Sequence, residues 1–447
     1  MKKEACVFLI SLGCAKNLVD SEHMLGFVSS KGYSIAAELE EADIAIVNTC
    51  GFKRDAVEEA IETILEIASH KKKEKLRSVI VTGCLVQRYG YKLKKLIPEV
   101  DGWLGTGEIH RIADLLGNKN KSKAAPFFIG KPTYLPDSNT PRIQTTPFYS
   151  SYLRIAEGCS HRCSFCIIPR LRGPFRSRSM ESLVDEAEKM VEEGVREFNL
   201  IGQDTTMYGK DLKKAVSLED LLERLVSIRG IKWIRILYCH PSGITDRLLE
   251  LIESEKTICP YLDIPFQHVN EKILKAMGRE SDLNSSPYGV IERIRSCKRR
   301  ISLRTTLMVG FQGETDEMFK DLYRFVETAR FEHMGAFIFS AEKGSKAFRS
   351  RNMPDQKVAK ERFERLMELQ AGISAELNAR LVGKTIPVLI EGVSEETDLL
   401  LKGRTSRMAP DTDGQVLISK GNGILGEIMD VRITQAQSFD IVGEIIS

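Results

Sequence analysis

With 447 residues, 42% of them hydrophobic and 28% charged, the chain is too long for one core and calls for about two to four domains. A formal net charge of +3, from 65 basic and 62 acidic residues, selects no class of partner, and no stretch nears the roughly 20 apolar residues of a membrane span. Ten cysteines without an export signal are expected to stay reduced, available to metal or catalysis, which points to a cytoplasmic protein.

Lys2 and Lys3 precede the apolar run "ACVFLISLGC", but Ser11 and Leu12 stand where a lipoprotein signal needs a branched apolar and then a small residue. The run therefore reads as a buried first strand. Residues 1–117 continue with "ADIAIVNTC", "SVIVTGC" and "WLGTG", separated by amphipathic stretches such as "RDAVEEAIETILEIASH". That alternation predicts an α/β domain with a parallel sheet. Cys14, Cys50 and Cys84 each follow a predicted strand, 36 and 34 residues apart, about one βα repeat each. The strand ends of a parallel sheet share one edge, so three thiols distant in sequence are expected to converge.

Residues 118–150 carry five of the fifteen prolines with little periodicity, and read as a linker. From 151 the pattern repeats strand and helix six times: "YLRIAEG", "REFNLIGQD", "WIRILYCHP", "YLDIPFQH", "SLRTTLMVGF" and "HMGAFIFSA". Six right-handed units predict an incomplete (β/α)6 barrel with its site at the C-terminal strand ends. The polar residues that interrupt the apolar pattern sit there: Gln203 and Asp204, His240, Gln267 and His268, then Gly313 and Glu314. A long helix near 355–380 closes the unit 151–380. Residues 381–447 hold five short strands, which suggest a small β-barrel. "GNGILG" at 421–426 matches a dinucleotide-binding glycine pattern but has no helix after it, so it reads as a turn.

"AEGCSHRCSFCIIPRLRG", after the first barrel strand, places Cys159, Cys163 and Cys166 in one loop. A structural zinc site wants four ligands, usually as two separated pairs. Three local thiolates on a four-iron cluster either recruit a distant fourth ligand or leave one iron open to something that is not protein. That open iron can chelate an amine and a carboxylate, both of which the methionyl end of S-adenosylmethionine (SAM) carries.

The C-x-x-x-C-x-aromatic-C run, with Phe165 as the aromatic, resembles the radical SAM superfamily. "SLGCAKNLVDSE", "NTCGF" and "VTGCLVQRY" resemble the domain in front of the barrel in methylthiotransferases, and the C-terminal barrel resembles their TRAM domain. The resemblance implies two 4Fe-4S clusters, one on Cys159, Cys163 and Cys166 and an auxiliary one on Cys14, Cys50 and Cys84. It also implies SAM seated among Phe165, Gln203, Asp204, Gln267, Arg304 and Glu314, with an electron donor and a sulfur donor as further partners. "GFQGETDE" departs from the family in having Gln312 where proline is usual.

The family divides on substrate: one group methylthiolates an aspartate of ribosomal protein uS12 at its β-carbon, the other an adenosine beside the tRNA anticodon. "IGQDTTMYGKDL", "CIIPRLRG" and "GRTSRMAPDTDG" resemble the first group. The charge of 381–447 agrees, because six basic residues face ten acidic ones, a net of −4 that suits a basic protein better than RNA. Asp411 and Asp413, in one turn, are expected to face solvent. Cys6, Cys239, Cys259 and Cys297 have no partner pattern and read as packing residues.

Overall fold

The N-terminal sheet has six parallel strands, ordered Ser34–Ile35, Cys6–Ser11, Ile44–Thr49, Ser78–Gly83, Gly102–Leu104 and Phe127–Phe128. The computed structural model from which this is read describes residues 5–71, 76–116, 125–280, 282–349 and 352–446. Ile44–Thr49 is apolar in both registers because both its faces are covered. Ala45 and Val47 pack with Ala60, Ile64 and Ile67 on one side, while Ile44 and Ile46 pack with Met24 and Val28 on the other.

The stretch expected to be a linker is tied down. Phe127–Phe128 pairs with Gly102–Leu104 as the sixth strand, and the Arg142 guanidinium is buried between Glu22 at 2.6 Å and Glu186 at 2.7 Å. Its polar, proline-rich composition reflects many short hydrogen-bonded turns rather than freedom. The expected domain boundary at 117/118 falls outside the described residues, as do Lys2 and Lys3.

The central unit is an open barrel of six parallel strands, in spatial order His333–Ile338, Ser302–Val309, Ile258–Asp263, Trp233–Ile236, Glu197–Ile201 and Ser150–Arg154. Chain order and spatial order coincide, as successive βα units require. The expected first strand "YLRIAEG" is split: after Ser150–Arg154, the pair Ala156–Glu157 turns away and meets Arg176–Ser177 in an antiparallel ribbon. The cysteine loop is held between the two arms of that ribbon. Helix Gln356–Ala379 buries Leu366, Ile373 and Leu377 in the barrel's outer core.

Thr385–Val393, Leu401–Thr405, Val416–Lys420, Ile441–Ile445 and Ile428–Ala436 form the closed C-terminal barrel, and residues 421–426 are a turn region within it. This barrel sits against the interior of the open one. Leu389 and Ala409 join Tyr149, Tyr152, Trp233 and Tyr261, and Val19 of the N-terminal domain completes the cluster. At its base Glu197 is fully buried, with Arg404 at 2.7 Å and Arg235 at 2.9 Å. Burial alone would raise its pKa, but the two guanidiniums and the Ser150 hydroxyl hold it far below the usual carboxylate range.

Candidate active site

Neighbouring strands of the N-terminal sheet end in register, with Ser11 beside Asn48 and Thr49 beside Gly83. The next residues are the expected ligands. Cys14 occupies the N-cap of helix Ala15–Ser29, Cys50 directly follows its strand, and Cys84 opens helix Cys84–Tyr89. Two glycines make the convergence possible. Gly13 has φ +99°, and a Cβ there would lie 2.8 Å from Cys50 Cβ; Gly83 has φ +100°, and a Cβ would lie 2.5 Å from the Asn48 side-chain oxygen and the Thr49 carbonyl.

In the barrel loop, backbone hydrogen bonds shape the cysteine turn. The Cys159 amide donates to Gly173 O at 3.1 Å, Ser164 to Met277 O at 2.8 Å, and Cys166 to Cys163 O at 3.2 Å. The Ile168 amide donates to Cys166 Sγ at 3.4 Å, and Arg279 reaches Cys163 Sγ at 3.8 Å while its other nitrogen binds Pro265 O. Such donors favour a thiolate.

All six cysteines line one cavity of about 590 Å³. Among the described residues no three His, Cys, Asp or Glu side chains gather round a point fit for a single ion. The donor set is nevertheless three thiols on each side, and in a cluster each thiolate binds a different iron and so stands apart from its neighbours. Burial pushes the Cys84 and Cys166 thiols up to about 12 and the Cys159 thiol up to about 11, and raises Cys50 as well. Metal binding would therefore displace protons from these sulfurs.

The residues assigned to SAM divide under inspection. Phe165, Gln203 and Gln267 line the cavity. Gln203 donates to Glu157 Oε1 at 3.0 Å, which leaves its own Oε1 buried without a partner; Gln267 Oε1 is equally unpartnered. Gln267 has φ +69°, a strained state for a non-glycine residue that the site imposes. Two orphaned carbonyl oxygens on the lining fit a ligand with several N–H and O–H groups.

Asp204 also lines the cavity, but both its oxygens are engaged. Oδ2 meets His161 Nε2 at 2.6 Å, and Oδ1 accepts from the Thr206 amide at 3.0 Å and its hydroxyl at 2.6 Å. Asp204 thus positions the loop by holding His161, whose ring stacks on His240 at 4.2 Å.

Arg304 and Glu314 need correction. Arg304 is bound to Asp413 of the C-terminal barrel at 2.5 Å and donates to Thr412 O at 3.2 Å; it lines neighbouring cavities and not this one. Glu314 lines neither cavity. It accepts from the Gly310 amide and stands 3.5 Å from Arg362, and burial raises its carboxyl to about 6. Asp413 likewise does not face solvent: its side chain is fully buried among Arg304, the Tyr261 hydroxyl at 2.7 Å and His333 at 3.4 Å. Asp411 alone of the pair stays exposed, accepting from the Tyr152 hydroxyl at 3.2 Å.

Several residues of the lining lie inside the quoted runs without a role legible there. Arg172 donates to Asn17 and pairs with Asp20 at 2.8 Å; Arg154 binds Asp20 at 2.5 Å and Glu157 at 2.9 Å. This buried network locks the two cysteine sets together. Lys16 and Tyr238, also on the lining, were reachable only through the fold. Cys239 and Cys259 are buried, and Cys6 and Cys297 half-buried, with no disulfide among the ten thiols.

A second cavity of about 600 Å³ shares Cys14, Phe52, Lys53, Phe165, Tyr238 and Gln267 with the first, and extends past Asp263 and Arg304 to Pro410, Asp411 and Thr412. All three domains wall it.

Residues 153–326 match the family model "Radical SAM superfamily", residues 382–446 "TRAM domain", and residues 6–105 "Uncharacterized protein family UPF0004". "Ribosomal protein uS12 methylthiotransferase RimO" of Geotalea uraniireducens (strain Rf4) is 48% identical over 443 residues, 98% of each chain. The protein of the same name from Geobacter sulfurreducens is 47% identical over 441 residues, 99% of this chain and 98% of the other. The chain belongs to the RimO family. Among solved structures, the radical S-adenosylmethionine methyltransferase TsrM from Kitasatospora setae shares the fold with a TM-score of 0.55 at 15% identity, over 75% of each chain. Cobalamin-dependent OxsB aligns with a TM-score of 0.51 at 11% identity, over 82% of this chain and 56% of that one. No helix among the described residues of this RimO-family chain is long and apolar enough to cross a membrane.

Proposed function

We infer that this chain replaces a hydrogen on the β-carbon of an aspartate of ribosomal protein uS12 with a methylthio group, using SAM and two 4Fe-4S clusters. The observation that carries the reading is the pair of cysteine triplets on opposite walls of one cavity, in a chain nearly half identical to RimO proteins along its whole length. When bound, the barrel cluster with SAM supplies a radical able to take hydrogen from an unactivated C–H, and the auxiliary cluster with a second SAM supplies the methylated sulfur.

In this reading Cys159, Cys163 and Cys166 hold the first cluster, and Cys14, Cys50 and Cys84 the second. Gln203 and Gln267 offer their free oxygens to SAM, with Phe165 against it. Asp204 fixes His161 and the His240 turn behind them. The Asp20–Arg154–Glu157–Arg172 network keeps the two walls at one spacing, and the apolar lining excludes water from the reacting groups. The second cavity gives a protein loop its way in. Reduced thiols and a ribosomal substrate make the cytoplasm its place of work, with an electron donor and a sulfur donor as partners.

The test is mass spectrometry of uS12 and of tRNA from a deletion strain. Loss of the methylthio group from uS12, with tRNA unchanged, supports the reading; the converse pattern would replace it with tRNA modification.

A further inference from the structure

The cavity between the cysteine sets is lined by a lysine with no carboxylate beside it among the described residues. Lys16 stands in the first turn of helix Ala15–Ser29, where the unpaired amides of a helix N-terminus make a positive side chain unfavourable. The residue is only 8% exposed, and among the described residues its ammonium has neither a hydrogen bond nor a carboxylate within ion-pair distance. Its one close contact is the face of Tyr238, 3.0 Å from Nζ to the ring centroid, and Tyr238 is held at φ +59°. A cation over a ring recovers about 0.5 to 2 kcal/mol and leaves the ammonium free to meet an anion in the cavity.

Other cations on the two linings are engaged. Arg172 is paired with Asp20 and Glu157, Arg304 with Asp413, and Arg279 with Pro265 O. Lys53, over Phe337 at 3.9 Å, lies in the field of Asp55 and Glu342. Asp263, the acid on the second lining that feels Lys16, is beyond ion-pair distance of it; it faces Arg304 at 4.0 Å and accepts from the Tyr238 amide at 3.1 Å. Lys16 is thus a cavity-lining ammonium without a carboxylate partner among the described residues, stacked on Tyr238, which both cavities share.

We propose that Lys16 receives the side-chain carboxylate of the target aspartate and thereby presents the adjacent β-carbon between the two cysteine sets. This deepens the reading of function above and rests on it. The carboxylate is left intact by substitution at the β-carbon and is one bond away from it, so fixing the first fixes the second. A site built round a buried charge also rejects the neutral isostere, because asparagine would leave the ammonium unpaired.

The test is binding, read by fluorescence anisotropy without reductant so that no turnover contributes. The reconstituted wild type, Lys16→Met and Lys16→Arg are each titrated with uS12 and with uS12 carrying asparagine for the target aspartate. The wild type is expected to prefer aspartate at least tenfold; Lys16→Met is expected to lose that preference and Lys16→Arg to keep most of it. A Lys16→Met protein that still prefers aspartate, or one whose affinity falls only for SAM, overturns the proposal. So does a wild type that binds both forms equally, a result that does not depend on the variants folding. If the wild type methylthiolates uS12 yet shows no preference, this inference alone fails; if it does not modify uS12, the reading of function fails first.

Discussion

At the scale of single residues, the six cavity thiols split into two sets by what each loss should do. Alanine at Cys159, Cys163 or Cys166 is expected to abolish 5'-deoxyadenosine formation, because two thiolates cannot hold a four-iron cluster with one iron open. Alanine at Cys14, Cys50 or Cys84 is expected to leave SAM cleavage largely intact and end methylthiolation, with iron falling from about eight to about four per chain. Wild-type iron in the second group would show those cysteines to be packing residues. A different division separates the neighbours Asp411 and Asp413. Burial would raise the Asp413 carboxyl, but His333, Arg304 and the Ala409 amide hold it below the usual carboxylate range. Asp413→Asn leaves Arg304 without its closest partner in a buried seam and is expected to cost about 3 kcal/mol in denaturant unfolding. Asp411→Asn keeps the turn, where φ is +60°, and removes an exposed charge. It is expected to change stability by less than about 0.5 kcal/mol. If the acidic rim docks a basic protein, it should slow uS12 association most at low salt. Equal stability losses in the two variants would contradict the burial seen for Asp413.

At the scale of elements, the active cavity is made by strand ends, and the turns that leave them matter as much as the cysteines. In the turn to helix Cys84–Tyr89, Gly83→Ala would push a methyl into the Asn48 side chain and the Thr49 backbone. It is expected to cut iron by about half with SAM cleavage retained, because the barrel loop does not share that strand. Full iron loading in Gly83→Ala would mean that the turn relaxes without moving Cys84. Cys14, Cys50 and Cys84 were legible because hydrophobic runs mark strands and a βα repeat of fixed length puts successive strand ends on one edge. The cysteine loop was legible as local spacing, and the five C-terminal strands as short alternating runs. What escaped was set by long-range pairing: Phe127–Phe128 adds a strand from a segment of loop composition. Glu314 sits after a barrel strand as the pattern requires, yet its carboxylate turns back to the Gly310 amide. Arg304 is claimed by an aspartate 109 residues away. Lys16 lies inside "SLGCAKNLVDSE", yet its lack of a carboxylate partner exists only once the fold closes round it.

At the scale of the whole molecule, the domains are joined by buried charge, and that makes their union sensitive to acid. Burial, reinforced by Arg142 and Arg154, lowers His23 to about 3 at the seam where the N-terminal helix meets Pro141; burial and Arg362 lower His268 to about 3 inside the barrel. Both are neutral when folded, whereas the unfolded chain protonates them near 6.5. Stability is therefore intact above about pH 6.5, and each histidine removes about 1.4 kcal/mol per pH unit as pH falls toward 3. The carboxylates act later and in the same direction. Burial would raise Glu157 and Glu186, but their arginine partners hold both at about 2, so their contribution is present above about 4.5 and is lost between there and 2. Loosening is thus expected to begin with the histidines, well before Glu157 or Glu186 is protonated. His268→Gln separates the two stages. Glutamine does not titrate, and it can keep the acceptor that His268 Nδ1 offers to the Asn270 amide at 3.0 Å. The variant starts from a lower stability at pH 7.5, but between pH 6.5 and 5.5 it is expected to lose about 1 kcal/mol less than the wild type in urea unfolding. Parallel losses in the two proteins would mean that His268 is charged in the fold, and that acid sensitivity in this range comes from elsewhere.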